Sequence, residues 1–408
     1  MIAASIPVQR PPDARLLVIS DGQTRHIARS TFPDLLRAED VVVANDAATV
    51  PASLLGVHVP TGSPIEARLA GQKSLCPDAT RFFSAVIFGS GSYLTPTEYR
   101  SNPPELRSGD RLRFGSLCAT IVCLLDHPRF ALLEFHGSTE EIWEGLARHG
   151  RPIQYAHVPT PLAIWDTWTP IAGPIAAFEP PSASFILSWA TIDTLIRRGV
   201  HFCTITHAAG ISSTGDPDLD ARLPFDEPYR IPKASARAIQ DAHVRGGRVI
   251  AIGTTVVRAL EHAAGADGEL RPGEGLATQK IGSDTKLRIV DAIVSGTHER
   301  GTSHFELLRA FLDDGTLEHM ARELAEHQYR THEFGDSVFV EKKVSCADRP
   351  AADPAVNTLR MTNATHQKAG SITRSAMPPL ARRLRHDAPG SPRRAVLPGR
   401  ASVQPRRA

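Results

Sequence analysis

From Val200 to Glu341 the chain alternates short apolar runs with helical patterns, and this alternation constrains the fold more than any other feature. VHFCTIT, RVIAIG and DSVFVEKK are short and rich in β-branched residues, so they read as strands. KASARAIQDAHVRGG, TTVVRALEHAA, SHFELLRAFLDDG and LEHMARELAEHQY space their apolar residues three and four apart, as amphipathic helices do. LRIVDAIVSG reads as a strand pair or one bent strand. SWATIDTLIRRG is helical and stops at Gly199, a C-cap candidate. Strands separated by helices build parallel sheet, because a parallel partner needs a crossover. The expectation is an α/β domain with a mostly parallel sheet covered by helices.

Two upstream runs can join that sheet. RLLVI (15–19) is a short strand followed by the turn signal DGQT, and VVVA (41–44) is a buried strand. Asn45 and Asp46 sit at its end, where ligand groups emerge in open α/β sheets. From about Val57 the character changes. IEARLA, RFFSAVIFG, RLRFG, CATIVCLL and FALLEFH are short β runs broken by TGSP, GSGS and SNPPELRSGD. Regular short strands with such breaks predict a small antiparallel barrel. Residues 1–56 and 151–344 are therefore expected to form one discontinuous α/β domain, with 57–150 inserted as an antiparallel β-barrel domain.

Charge adds a third segment. The formal net charge of +2 over 408 residues hides an asymmetry. From Asp348 onward there are twelve Lys/Arg against three Asp/Glu, which leaves 34 against 41 before it. Residues 345–408 are rich in Pro, Arg, Ala and Gly with no apolar period, the composition of a disordered basic tail. Such a tail adds non-specific phosphate affinity; a solvated extension of no fixed role is the competing reading. No apolar run approaches the roughly 18 residues of a spanning helix. The N-terminus lacks the basic start and apolar core of a signal peptide. The five cysteines are scattered with no CxxC pair, which argues against a disulfide framework or a structural zinc site. A cytoplasmic monomer with no membrane partner is expected.

Three strand ends carry chemistry. GGRVIAIGTTVVRALE (246–261) reads as a buried strand, a tight turn and a helix start. Gly253 permits close backbone approach, Thr254 or Thr255 can cap the helix, and Arg258 lies one turn in. Free N–H groups at such a turn favour a carboxylate or phosphate. The bland alternative is a capped helix with Arg258 paired to Glu261 at i,i+3. There is no GxGxxG and no GxxxxGK[ST], so no nucleotide-binding fingerprint is present. His207 ends the strand VHFCTIT and leads into ITHAAGISSTGDPDLD, a polar loop where it can serve as a general base or a structural histidine. No GxSxG surrounds the serines of that loop, so a serine hydrolase is not indicated. His298 and His304 lie in SGTHERGTSHFELL; spaced six apart across a glycine, they are not a helical metal pair, and no metal is expected there. Thr302 or Ser303 reads as an N-cap with Glu306 near N3. Trp165 and Trp168, with EPPSASF (179–185), can stack on a flat base or anchor a core.

Taken in order, these stretches resemble the S-adenosylmethionine:tRNA ribosyltransferase-isomerase family of queuosine biosynthesis. GGRVIAIGTTVVRALE resembles its most specific signature. RLLVI with FPDLLRAEDVVVAND, GDRLRFG (109–115), IVDAIVSGTHERGTSHFELLRAF and YRTHEFGDSVFV (329–340) are similar to its other segments. The resemblance spans roughly residues 13 to 341. It implies transfer of the ribosyl moiety of S-adenosylmethionine, as co-substrate, to a 7-aminomethyl-7-deazaguanine already in tRNA. Epoxyqueuosine forms, and adenine and methionine leave. The sulfonium acidifies the adjacent ribose C5′–H, so a positioned base generates a stabilised carbanion. The resemblance implies His207, His298 and Glu227 as acid–base or orienting groups. It implies Gly253, Thr254, Thr255 and Arg258 as substrate contacts, with Asn45, Asp46 and Asp336 at the rim of the same cleft. Several loops depart from the family pattern. Phe185-Ile186-Leu187 stands where the family has Leu-His-Phe, and Phe225-Asp226-Glu227 where it has His-Ser-Glu. Glu-Arg-Gly-Thr-Ser (299–303) replaces Leu-Pro-Lys-Ser-Thr, and Ala-Gly-Ile-Ser-Ser-Thr-Gly-Asp (209–216) replaces the Gly-Thr-Phe loop that follows the strand histidine. Those departures motivate two rival readings, the same scaffold with a different acceptor and a non-catalytic RNA-binding module.

Overall fold

A computed structural model describes residues 1–76 and 80–343. The tail expected at 345–408 lies outside the described residues.

A nine-stranded sheet organises the chain. Its spatial order is Gly273–Ala277, Glu227–Ile231, His201–His207, Val41–Asn45, Val249–Ile252, Ala292–Gly296, Ser337–Glu341, Arg15–Ser20, Gln23–Ala28. The four strands from His201–His207 to Ala292–Gly296 run parallel. The sheet as a whole is mixed rather than mostly parallel. Ser337–Glu341 is antiparallel to Ala292–Gly296, and both edges end in antiparallel pairs. The connections explain the difference. Only the short helix Pro217–Asp220 separates His207 from Glu227, so the chain turns back without crossing the sheet. At the other edge a two-residue turn, Asp21-Gly22, joins the strands with both residues at positive φ, 50° and 72°. That is the hairpin turn matched to strand twist.

Both faces of the sheet are covered. Val41, Val43, Val249 and Ala251 point into a core shared with Ile239, Val256, Leu260, Leu317 and Met320. Val42, Ala44, Ile250 and Ile252 point into the opposite core with Phe32, Leu187 and Leu195. The near-continuous apolar character of VVVA and RVIAIG follows from this burial on two sides. The helix before the sheet, Trp189–Arg197, stops as its glycine predicts: Gly199 has φ of 79° and donates to Ile196 O. SHFELLRAFLDDG is not one helix; Ser303–Leu307 passes into a 3-10 turn at Leu308–Ala310, and Asp313 then caps the helix Asp314–Glu326. LRIVDAIVSG forms one strand, Ala292–Gly296.

A second sheet is fully antiparallel and closes on itself. Ser53–His58, Ser63–Gly71, Phe82–Phe88, Phe130–Phe135, Leu117–Leu124 and Arg111–Phe114 follow one another, and Ser53–His58 pairs back with Arg111–Phe114. Its first strand begins at Ser53, ahead of the change in pattern seen near Val57. Leu69, Phe83, Phe114, Ile121 and Phe135 fill the interior, and Phe178 from outside the barrel joins them. Helix Thr139–His149 plugs this core with Ile142 and Leu146, and a Ser138–Glu141 capping box fixes its start.

Candidate active site

Four parallel strands end on one side of the sheet, and a cavity of about 340 Å³ lies there. This is where open α/β sheets bind ligands. Gly253, Thr254, Thr255, Arg258, Glu227 and His298 all line it. The structure thus brings together six of the residues that the sequence singles out.

The turn after Val249–Ile252 is built on Gly253. Its φ of 100° lies in the region that favours glycine, while its N–H continues the sheet by donating to Val294 O. Gly253 itself is the N-cap of helix Thr254–Ala263, and no side chain caps that helix. The expected threonine cap is therefore not formed; Thr254 and Thr255 are already helical, past the position from which a hydroxyl reaches back. The helix opens toward the cavity with its first N–H groups uncapped by any side chain.

Arg258 does not pair with Glu261. Glu261 accepts instead from the backbone N–H groups of Arg288, Ile289 and Val290. Arg258 is 3% exposed and reaches Glu227, at the start of strand Glu227–Ile231, three positions from Val249–Ile252 in the sheet. It donates to Phe225 O at 2.8 Å, to Gln279 O at 2.9 Å and to Glu227 Oε2 at 2.5 Å. Its Nη2 is buried with no hydrogen-bond partner. A buried donor without a partner is costly, and an anion in the cavity would relieve it. Lys280 also lines the cavity, and burial lowers its pKa.

Glu227 links the site to the loop after His207. Its Oε1 accepts from Gly210 N at 2.5 Å. A Cβ on Gly210 would lie 2.7 Å from Ala70 O, so only glycine lets the loop pass there. His207 is fully buried and does not line the cavity. Its Nε2 lies 3.5 Å from Glu227 Oε2, and neither ring nitrogen makes a hydrogen bond. Burial pushes its pKa down to about 4, against the opposing pull of Glu227. His207 is thus a neutral ring packed behind Glu227, which is an orienting position.

His298 does face the cavity. Its ring stacks on His304 with centroids 4.5 Å apart and planes 15° apart. Burial, together with His304 and His332, holds His298 well below the usual histidine range. His298 is therefore held as the neutral imidazole. Thr302 caps the following helix by accepting from Phe305 N.

Asn45, Asp46 and Asp336 lie outside the cavity wall. Asn45 is buried and holds the backbone of His207, its Oδ1 accepting from His207 N and its Nδ2 donating to His207 O, both at 2.9 Å. Asp46 accepts from Thr204 Oγ1 and Thr206 Oγ1. Asp336 accepts from the backbone N–H groups of Arg15 and Arg330 and pairs with both side chains. All three brace strand ends rather than face a ligand.

Sequence reasoning missed Glu179. It follows strand Ile175–Ala177 and is held in place by Phe178, which is buried in the barrel core. Glu179 lines the cavity, and Tyr155 Oη donates to its Oε1 at 2.5 Å. Burial raises its pKa to about 7. A carboxyl poised near neutrality in a cleft is suited to acid–base work. The available signal was a lone Glu before Pro180-Pro181 at a strand end, in a segment weighed only for its aromatic neighbours. Those neighbours, Trp165 and Trp168, are 71% and 38% exposed and form no core anchor.

Relatives match this chain in sequence through most of their length. A family model described as a queuosine biosynthesis protein matches residues 1–340. The S-adenosylmethionine:tRNA ribosyltransferase-isomerase of Synechococcus elongatus is 29% identical over 352 residues, 83% of this chain and 92% of its own. The enzyme of that name from Brucella ovis is 28% identical over 367 residues, 82% and 93% respectively. A solved S-adenosylmethionine tRNA ribosyltransferase from Thermotoga maritima is 20% identical, covers 83% of this chain and 96% of its own, and has a TM-score of 0.44. The matched span takes in both sheets and every residue of the cavity wall, and the chain belongs to the queuosine biosynthesis protein family.

Proposed function

We propose that the protein is an S-adenosylmethionine:tRNA ribosyltransferase-isomerase. It moves the ribosyl moiety of S-adenosylmethionine onto 7-aminomethyl-7-deazaguanine in tRNA, forms epoxyqueuosine and releases adenine and methionine. The observation that carries the reading is Arg258, a buried guanidinium in the cavity wall with one donor unpaired, within the signature stretch of a queuosine family member. The methionine carboxylate of S-adenosylmethionine suits that donor and the open N–H groups at Thr254 and Thr255. The cavity volume falls in the range of ligand sites, roughly 300–1,000 Å³.

The remaining wall supplies proton transfer. Glu179 and His298 are the groups that can take the ribose C5′ proton, Glu179 as carboxylate and His298 as neutral imidazole. Glu227 neutralises Arg258 and fixes the loop at Gly210; His207 packs behind Glu227. tRNA and S-adenosylmethionine are the partners in this reading. The chain acts as a cytoplasmic monomer, with 1–56 and 151–344 as the catalytic part and 57–150 as the insert, whose barrel takes its first strand from Ser53–His58. Among the described residues no helix is long and apolar enough to cross a membrane.

The test is mass spectrometry of the nucleosides from a tRNA carrying 7-aminomethyl-7-deazaguanine, after incubation with the protein and S-adenosylmethionine. The modified base should gain the mass of the rearranged ribosyl group. An unchanged nucleoside profile overturns the proposal.

A further inference from the structure

Outside the cavity wall, one helix face and one edge strand converge on a cluster of imidazoles. His319, Glu323 and His327 recur every four residues on helix Asp314–Glu326 and its C-cap, so they stack along one face. His26 projects toward them from the edge strand Gln23–Ala28. Among the described residues His26, Glu323 and His327 are the one group of three His, Cys, Asp or Glu whose ligand atoms all lie within 4.8 Å of one another. None of them lines the cavity.

We infer that His26, Glu323 and His327 form a binding site for a divalent transition metal of the zinc class, clipping the edge strand to the helix. The distances suit such an ion. Ligands about 2.1 Å from a tetrahedral zinc lie about 3.4 Å from each other. His26 Nε2 is 3.1 Å from Glu323 Oε2, and His327 Nδ1 is 3.4 Å from the same oxygen. The two rings lie with centroids 4.1 Å apart and planes tilted by 34°, and His327 Nδ1 exchanges its contact with Glu323 O, 3.1 Å away, for the ion. His26 is also oriented from behind. Its Nδ1 bonds Tyr329 Oη at 3.0 Å, the outer-shell contact by which metal-binding histidines are aimed. Two imidazoles and a carboxylate are ligands that zinc accepts, with water completing the shell. His319 is the adjacent reserve ligand: its Nε2 lies 3.8 Å from Glu323 Oε1 and is held by Thr24 Oγ1 at 3.2 Å. Arg15, whose guanidinium lies over the Tyr329 ring at 4.2 Å, is neutralised by Asp336 and does not bar a cation.

The experiment is calorimetric titration of the untagged, EDTA-stripped full chain with zinc chloride, alongside thermal melting. One zinc should bind per chain with Kd at or below the micromolar range, and millimolar Mg²⁺ should give no saturable binding. Zinc should raise Tm by about 3 °C or more at hundredfold excess over Kd, because it binds only the folded arrangement. His26→Ala and His327→Ala should each weaken binding at least tenfold and abolish the Tm rise. His327 is exposed at the helix end, so His327→Ala melts like the parent in EDTA and separates lost ligation from lost folding. No saturable zinc binding, or binding unchanged in both variants, overturns the site.

Discussion

Arg258 carries two duties that a single substitution separates. It is buried in the cavity wall, neutralises Glu227 and holds two carbonyls, while one donor has no partner. Arg258→Ala strands Glu227 as a buried charge and should cost about 3–5 kcal/mol of stability, measured by urea unfolding. Arg258→Lys keeps the charge and loses the fork. It should stay folded and weaken S-adenosylmethionine binding about tenfold by calorimetry; an unchanged Kd places the carboxylate elsewhere. Glu179 makes a prediction about pH. Its folded pKa of about 7 lies above its ordinary 4.5, so its contribution to stability falls as pH rises from 4.5 to 7 and is flat beyond. As a base it must be ionised, so kcat/KM should rise with pH through about 7, and Glu179→Gln should remove that limb and lower the rate by about 10²–10⁴. His207 has the opposite sign. Held near 4 against an ordinary 6.5, it contributes stability above 6.5 that is lost as pH falls toward 4, and His207→Gln should shallow that acid-side loss. Much of this site could be read in the chain because strand ends and glycine turns are local signals. Gly253, Arg258 and His298 belong to such signals. Glu179 does not, since its proximity to Arg258 arises from Phe178 docking in a barrel almost a hundred residues earlier in part.

The strand–turn–helix at 249–263 shows how element geometry makes the pocket. Gly253 needs φ of 100°, and a Cβ there would meet Ala183 at 3.4 Å. Gly253→Ala should therefore destabilise the fold by about 1–2 kcal/mol through left-handed strain and weaken S-adenosylmethionine binding as the helix start shifts. Melting and calorimetry read the two effects. Periodicity located six of the nine strands of the main sheet, because apolar spacing is a one-dimensional record of burial; it missed Gln23–Ala28, Glu227–Ile231 and Gly273–Ala277, the strands toward the two edges, whose runs are too polar or too rich in Gly and Pro to stand out. Strand direction left a weaker trace. Ser337–Glu341 follows two helices yet runs antiparallel to Ala292–Gly296, and nothing in the run SVFVE distinguishes the two directions. Arg258 pairing with Glu227 rather than Glu261 is the same kind of event, a tertiary partner displacing a helical neighbour.

For the whole molecule, charge predicts how tRNA is held. Up to residue 347 there are 34 Lys/Arg against 41 Asp/Glu, and the segment from Asp348 carries twelve against three. A mildly acidic body gains little from a polyanion, so the C-terminal segment should supply much of the phosphate contact. Truncation after residue 344 should weaken tRNA binding and flatten its salt dependence by about 0.7–0.9 in log–log slope per lost contact, while turnover at saturating tRNA stays. The central claim is that the cavity between Glu179 and Arg258 joins S-adenosylmethionine to tRNA. The most direct measurement is adenine and methionine released from S-adenosylmethionine, with and without tRNA bearing 7-aminomethyl-7-deazaguanine, for the parent and Glu179→Gln. Equal amounts of adenine and methionine, released only with that tRNA and at least a hundredfold more slowly in the variant, are the predicted result. S-adenosylmethionine left intact beside the acceptor tRNA, or adenine released at the parent rate by Glu179→Gln, contradicts it.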